Sequence, residues 1–207
     1  MSDSYLTIKA FAKDSFIEKR SEFIGNIIPV SNEEAAIAFI KKIKSENTKA
    51  KHNVYAYILR DNNTVRYSDD GEPQGTAAVP VLDVLQKEGL TDICCVVTRY
   101  FGGILLGGGG LVRAYSHSAK IAVDAAVKLE MHKCVQITIS AEYPLYGKIS
   151  FALNDFKHKI SESNFSDTVV LKVVIDKDET KKFAEKLTDV ANGKILLSFS
   201  DEFYDDL

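Results

Sequence analysis

Asp92-Ile-Cys-Cys-Val-Val-Thr-Arg-Tyr-Phe-Gly-Gly-Ile-Leu-Leu-Gly-Gly-Gly-Gly-Leu-Val-Arg113 is the stretch on which the fold turns. Its first seven residues, 92–98, form an apolar run short enough for a buried strand. After residue 110 an Ala-rich pattern predicts a helix over about 111–129, apolar nearly all round and packed against a sheet. Six of the nine residues between Gly102 and Gly110 are glycine. Fixing each costs roughly 0.4–1 kcal/mol more than fixing an alanine. A chain carrying that cost needs unusual backbone angles there, or needs its backbone to approach something closely. A glycine-rich turn into a helix start is also where free N–H groups cradle anions.

The glycine loop lacks the closing Gly-Lys-Ser/Thr of a Walker loop, and no three glycines have dinucleotide-fingerprint spacing. The helix start has no Ser, Thr, Asp or Asn cap, and Arg113 in its first turn opposes the helix dipole. An anion docked on the free amides would relieve both, with Arg99 as a second charged donor. The candidate ligand-binding residues are therefore Arg99, Gly102, Gly103, Gly107, Gly108, Gly109, Gly110 and Arg113. A purely structural turn, with Arg113 paired to a carboxylate, is the competing explanation.

Outward from this stretch, strands are expected at 5–11 and 22–30. Ser31-Asn32-Glu33-Glu34 reads as a capping box opening a helix with Ala36, Phe39, Ile40 and Ile43 on one face. A hairpin is expected over 53–60 and 64–68, then an acidic turn, Asp69-Asp70-Gly71-Glu72-Pro73. Pro80 suits the first position of a short helix that Gly89 stops. Asp69, Asp70 and Glu72 join the candidate site: they could hold Mg²⁺ or move protons, or pair with Arg99 or Arg113. Residues 134–200 read as strand, helix, two strands, helix, strand, the βαββαβ order of the ferredoxin-like plan. The expected division is thus 1–132 and 133–207. The acidic tail from Asp201 is expected to fray.

Residues 1–132 carry no net charge and 133–207 carry the whole formal charge of −3. The chain is no polycation, so nucleic acid would need a local patch. Lys41, Lys42, Lys44, Lys49 and Lys51 form one basic cluster, which a solvated helix end also explains. Three cysteines without metal or disulfide spacing, no signal peptide and no long apolar run fit a cytoplasmic protein with no membrane partner. The four histidines lack metal-ligand spacing. No motif places a catalytic Lys, Ser or His, so the chain reads more as a binding protein than an enzyme, with no cofactor and no metal.

Tyr67-Ser-Asp-Asp-Gly-Glu-Pro-Gln-Gly-Thr76, Thr98-Arg-Tyr-Phe-Gly-Gly103 and Gly109-Gly-Leu-Val-Arg-Ala-Tyr115 together resemble the IMPACT family, over about residues 18–127. Residues 135–200 resemble the small C-terminal domain of its bacterial members, many of which have Lys where Leu105 stands here. The resemblance implies an α+β protein. Its N-terminal α/β sandwich would be like the second domain of a small-subunit ribosomal protein, as in domain four of elongation factor G. Its C-terminal ferredoxin-like domain would be like domain five of that factor. Eukaryotic relatives regulate translation through an extra domain that this chain lacks. The expected function is translation-related binding of RNA, the ribosome or a translation factor, or of a phosphate-bearing ligand, at the glycine-rich loop. The alternatives are an enzyme on a phosphorylated small molecule or nucleotide, with a metal at the acidic turn, and a protein-docking module using the C-terminal sheet.

Overall fold

The computed structural model describes residues 4–207, and its contacts divide the described chain into two compact units, Tyr5–Leu129 and Glu130–Leu207 together with Ser4. Both are α+β, with two antiparallel sheets and five α-helices in all.

In the first unit the strands are β1 (Tyr5–Ile8), β2 (Ala12–Glu18), β3 (Ser21–Pro29), β4 (His52–Ile58), β5 (Val65–Ser68) and β6 (Ile93–Tyr100). The sheet runs β2-β3-β6-β4-β5. The central β6 is buried on both faces, which is why its sequence is continuously apolar rather than alternating. Ile93, Cys95 and Val97 face α2 (Ala78–Lys87) and α3 (Gly108–Asp124), whereas Cys94 and Val96 face α1 (Glu33–Glu46). Burial pushes the Cys95 thiol up to about 12 and the Cys94 thiol above its ordinary range. Both behave as small hydrophobes.

Several sequence expectations need correction. Asn32, not Ser31, caps α1, its side chain accepting from the Ala35 amide at 2.8 Å. Strand β2 has no counterpart in the sequence reading. It forms a hairpin with β3 through Lys19 and Arg20, both at positive φ (45° and 65°). Helix α3 starts at Gly108 and stops at Asp124, and it is amphipathic: Arg113, His117 and Lys120 are exposed. Its Ser118 and Ala122 approach Gly25 closely, where a Cβ would lie 2.3 Å from the Ser118 carbonyl oxygen.

The second unit contains β7 (Lys128–Ala141), which starts before the unit boundary, then α4 (Tyr143–Leu153), β8 (His158–Phe165), β9 (Val169–Asp176), α5 (Thr180–Val190) and β10 (Ile195–Phe199). The order β10-β7-β9-β8, with α4 and α5 packed on one face through Ile149, Leu153, Phe183 and Leu187, is the arrangement of a βαββαβ unit. The tail does not fray. A strand β11 (Phe203–Asp205) pairs with His132–Cys134 of β7. Lys159 holds Asp205 and Asp206 at 2.9 Å each, and Lys133 and Lys177 hold Glu202. Local acidity suggested disorder, but the balancing lysines lie far away in sequence.

Candidate functional site

Register across the sheet assembles the site. Phe23 of β3, Arg99 of β6 and His52 of β4 are lateral neighbours, so their side chains share one face. That face meets the start of α3. Arg99 is only 5% exposed. Its guanidinium carbon sits 5.4 Å from the ring centres of both Phe23 and Phe101. Its Nη1 donates to Glu72 Oε1 at 2.6 Å, and the Tyr115 hydroxyl donates to the same oxygen at 2.8 Å. Burial, and then the Glu72 charge, push the Tyr115 phenol above the ordinary tyrosine range. His52 Nδ1 lies 2.8 Å from the Asp70 carbonyl oxygen, and its Nε2 lies 3.9 Å from Glu72 Oε1. The Arg99 Nε is buried with no hydrogen-bond partner. An orphan of this kind costs about 1–3 kcal/mol and calls for an explanation.

The acidic turn sends its carboxylates to three separate places. Asp69 accepts from the Gly75, Ala77 and Ala78 amides at 2.9, 3.2 and 2.8 Å. It therefore caps α2, which has no side-chain cap on its own Ala77. Asp70 pairs with Lys44 at 2.6 Å and accepts from the Asn53 amide at 2.6 Å. Glu72 alone turns into the site. Among the described residues no three His, Cys, Asp or Glu side chains gather to hold a metal ion.

The glycines divide by what the fold demands. A Cβ on Gly102 would lie 1.9 Å from the Arg20 carbonyl oxygen, so the loop packs directly on the β2–β3 turn. Gly107, the residue before α3, has φ +73°. At Gly108 and Gly109 a Cβ would meet nothing closer than 3.9 and 3.8 Å, and neither backbone is left-handed. Helix α3 has no side-chain cap, and its first internal bond runs from the Leu111 amide to the Gly107 carbonyl. The amides of Gly108, Gly109 and Gly110 precede that bond.

Beside this helix start lies a pocket of about 390 Å³. Its lining includes the polar Lys51, His52, Glu72 and Arg99, the backbone at Gly107 and Gly108, and the apolar Pro73, Phe101, Leu105, Leu106 and Leu111. Of the predicted glycines, Gly102, Gly103, Gly109 and Gly110 do not line it, and Gly110 lines a second hollow instead. Arg113, expected beside Arg99, lies elsewhere. It is two residues past Leu111, about 200° further round the helix. It lines a separate hollow of about 270 Å³ with Phe16, Lys19 and His117, and among the described residues it makes no ion pair. Sequence reasoning missed Lys51, His52, Phe101 and Tyr115 as site residues. The cross-strand register that brings His52 to Arg99 has no local signature. No described helix is long and apolar enough to cross a membrane.

Comparison with known proteins adds identity. The model of the Impact N-terminal domain matches residues 19–123, and that of a domain of unknown function, DUF1949, matches 139–194. The chain is 40% identical over 195 residues to the IMPACT family member YvyE of Bacillus subtilis, covering 94% of this chain and 90% of that protein. It is 34% identical over 187 residues to the IMPACT family member YigZ of Escherichia coli, covering 89% and 92%. A crystal structure described only as that of a hypothetical protein aligns with TM-score 0.63 at 32% identity, covering 95% of this chain and 97% of that one.

Proposed function

The chain belongs to the IMPACT family, and from there we propose that it is a translation-associated binding protein that seats a phosphate of RNA in the pocket at the start of α3. The observation that carries this reading is the orphaned, buried Nε of Arg99, a residue that lines a pocket together with Gly107 and Gly108 at an uncapped helix start. A phosphate oxygen is the acceptor these groups lack. A helix N-terminus favours an anion by about 0.3–1 kcal/mol, more when partly buried, and charged hydrogen bonds add about 1.5–3 kcal/mol. Gly108 leaves the pocket side of the helix start without a side chain, and Lys51 lines the same pocket. The Glu72 carboxylate holds Arg99 in place and keeps its charge compensated while the pocket is empty. The translation setting rests on the family resemblance alone. An enzyme with a metal at the acidic turn finds less support, because Asp69 and Asp70 are both engaged in holding the fold.

Fluorescence anisotropy of a labelled single-stranded RNA tests the proposal. Binding is expected at 50 mM salt and is expected to weaken steeply towards 200 mM. Gly108→Asp places a carboxylate where the phosphate would sit, yet suits the helix dipole, so the variant should fold and lose binding. No binding at 50 mM salt, or full binding by folded Gly108→Asp, would overturn the reading.

A further inference from the structure

We infer that the pocket takes a whole nucleotide, with its phosphate at the α3 amides and its base against Phe101; this rests on the phosphate seat argued above. The cavity of about 390 Å³ is far larger than a phosphate ion needs. It falls in the range of roughly 300–1,000 Å³ typical of pockets that bury small organic ligands. Its lining combines two chemistries. Lys51, His52, Arg99 and the helix start bring polar groups, while Phe101, Leu105 and Leu106 bring apolar surface, with Phe101 beside Arg99. The apolar groups are accessible: Phe101 is 44% exposed and Leu105 81% exposed. Phe101 is also steadied on one side by the Arg99 guanidinium. A held, exposed aromatic ring beside an anion seat is the pairing by which proteins grip single nucleotides, stacking the base and bonding the phosphate. The ligand that satisfies both the anion seat and the exposed ring is a nucleoside monophosphate, either free or at the end of an RNA strand.

Calorimetry with adenosine 5′-monophosphate, inorganic phosphate and adenosine decides it. The monophosphate should bind at least about tenfold tighter than either of the others, since stacking adds to the phosphate contacts. In Phe101→Ala the ratio of monophosphate to phosphate affinity should fall about tenfold, and Leu105→Ala should lower it in the same direction. Equal affinities for monophosphate and phosphate, or an unchanged ratio in both folded variants, would overturn the nucleotide and leave the phosphate seat standing. Absence of binding by both phosphate and monophosphate would overturn the two together. A 5′-phosphorylated RNA 12-mer completes the test. If it binds more tightly than its 5′-hydroxyl counterpart, the nucleotide is a strand end; if the monophosphate binds and neither strand does, it is free.

Discussion

Replacing Gly108 and Gly109 together by alanine should make the protein more stable and less able to bind phosphate. Neither residue has a positive φ, and the added methyl groups would meet Thr76 Cγ2 at 3.9 Å and Arg113 Nη1 at 3.8 Å, ordinary contact distances. The folded state therefore accepts both. Each substitution removes conformational freedom from the unfolded chain, a gain of about 0.4–1 kcal/mol. The pair should gain about 1–2 kcal/mol, which at roughly 2–4 °C per kcal/mol is a Tm rise of several degrees. Gly108 lines the pocket, so its methyl group should reduce phosphate affinity about tenfold, or about 1.4 kcal/mol, whereas Gly109 lies outside the pocket lining and adds to stability alone. Urea unfolding gives the first number and calorimetry with inorganic phosphate the second. A loss of stability would refute the claim that the fold does not need these glycines. A gain in stability with unchanged affinity would refute the claim that their amides form the seat.

Other positions behave differently. Gly102→Ala drives a Cβ into the Arg20 carbonyl and Gly25→Ala drives one into the Ser118 carbonyl. Each should cost about 1–3 kcal/mol or more in urea unfolding, because backbone must move. Asp69→Ala removes the acceptor for the Gly75, Ala77 and Ala78 amides leading into α2 and should cost about 1–2 kcal/mol, the upper range for a lost cap. At alkaline pH the raised Tyr115 phenol matters. Its protonated form is favoured by folding, so its contribution is complete below the ordinary tyrosine pKa of about 10 and is lost as pH rises above it. Wild-type stability should therefore fall more steeply than that of Tyr115→Phe above pH 10, by up to about 1.4 kcal/mol per pH unit; parallel curves would contradict this.

The parts of the fold legible in the sequence were those with strong periodicity or composition. The unbroken apolar run of β6 and the spacing of Ala36, Phe39, Ile40 and Ile43 in α1 located both elements. Strand β2 was hidden because Lys13, Asp14 and Glu18 occupy a mostly exposed edge strand, and because its Lys19-Arg20 turn takes left-handed angles without the usual Asn or Gly. The tail strand β11 was hidden because its charge partners, Lys133, Lys159 and Lys177, are distant in sequence. At the site, the glycine loop and the acidic turn were both visible as local anomalies. What joined them was not local. Glu72 reaches Arg99 and Tyr115 across the fold, and His52 reaches Arg99 through sheet register. Helical phase carried Arg113 away from Arg99, although both flank the same loop.

The central claim is that the start of α3 and Arg99 form one anion seat. The most direct test is an amide and arginine Nε–H NMR titration of isotopically labelled protein with inorganic phosphate at low salt. The account predicts saturable shifts at Gly108, Gly109, Gly110 and the Arg99 Nε–H, with the exposed lysines Lys41 and Lys42 unaffected. Shifts confined to those lysines, or none at the glycine amides and Arg99, would contradict it.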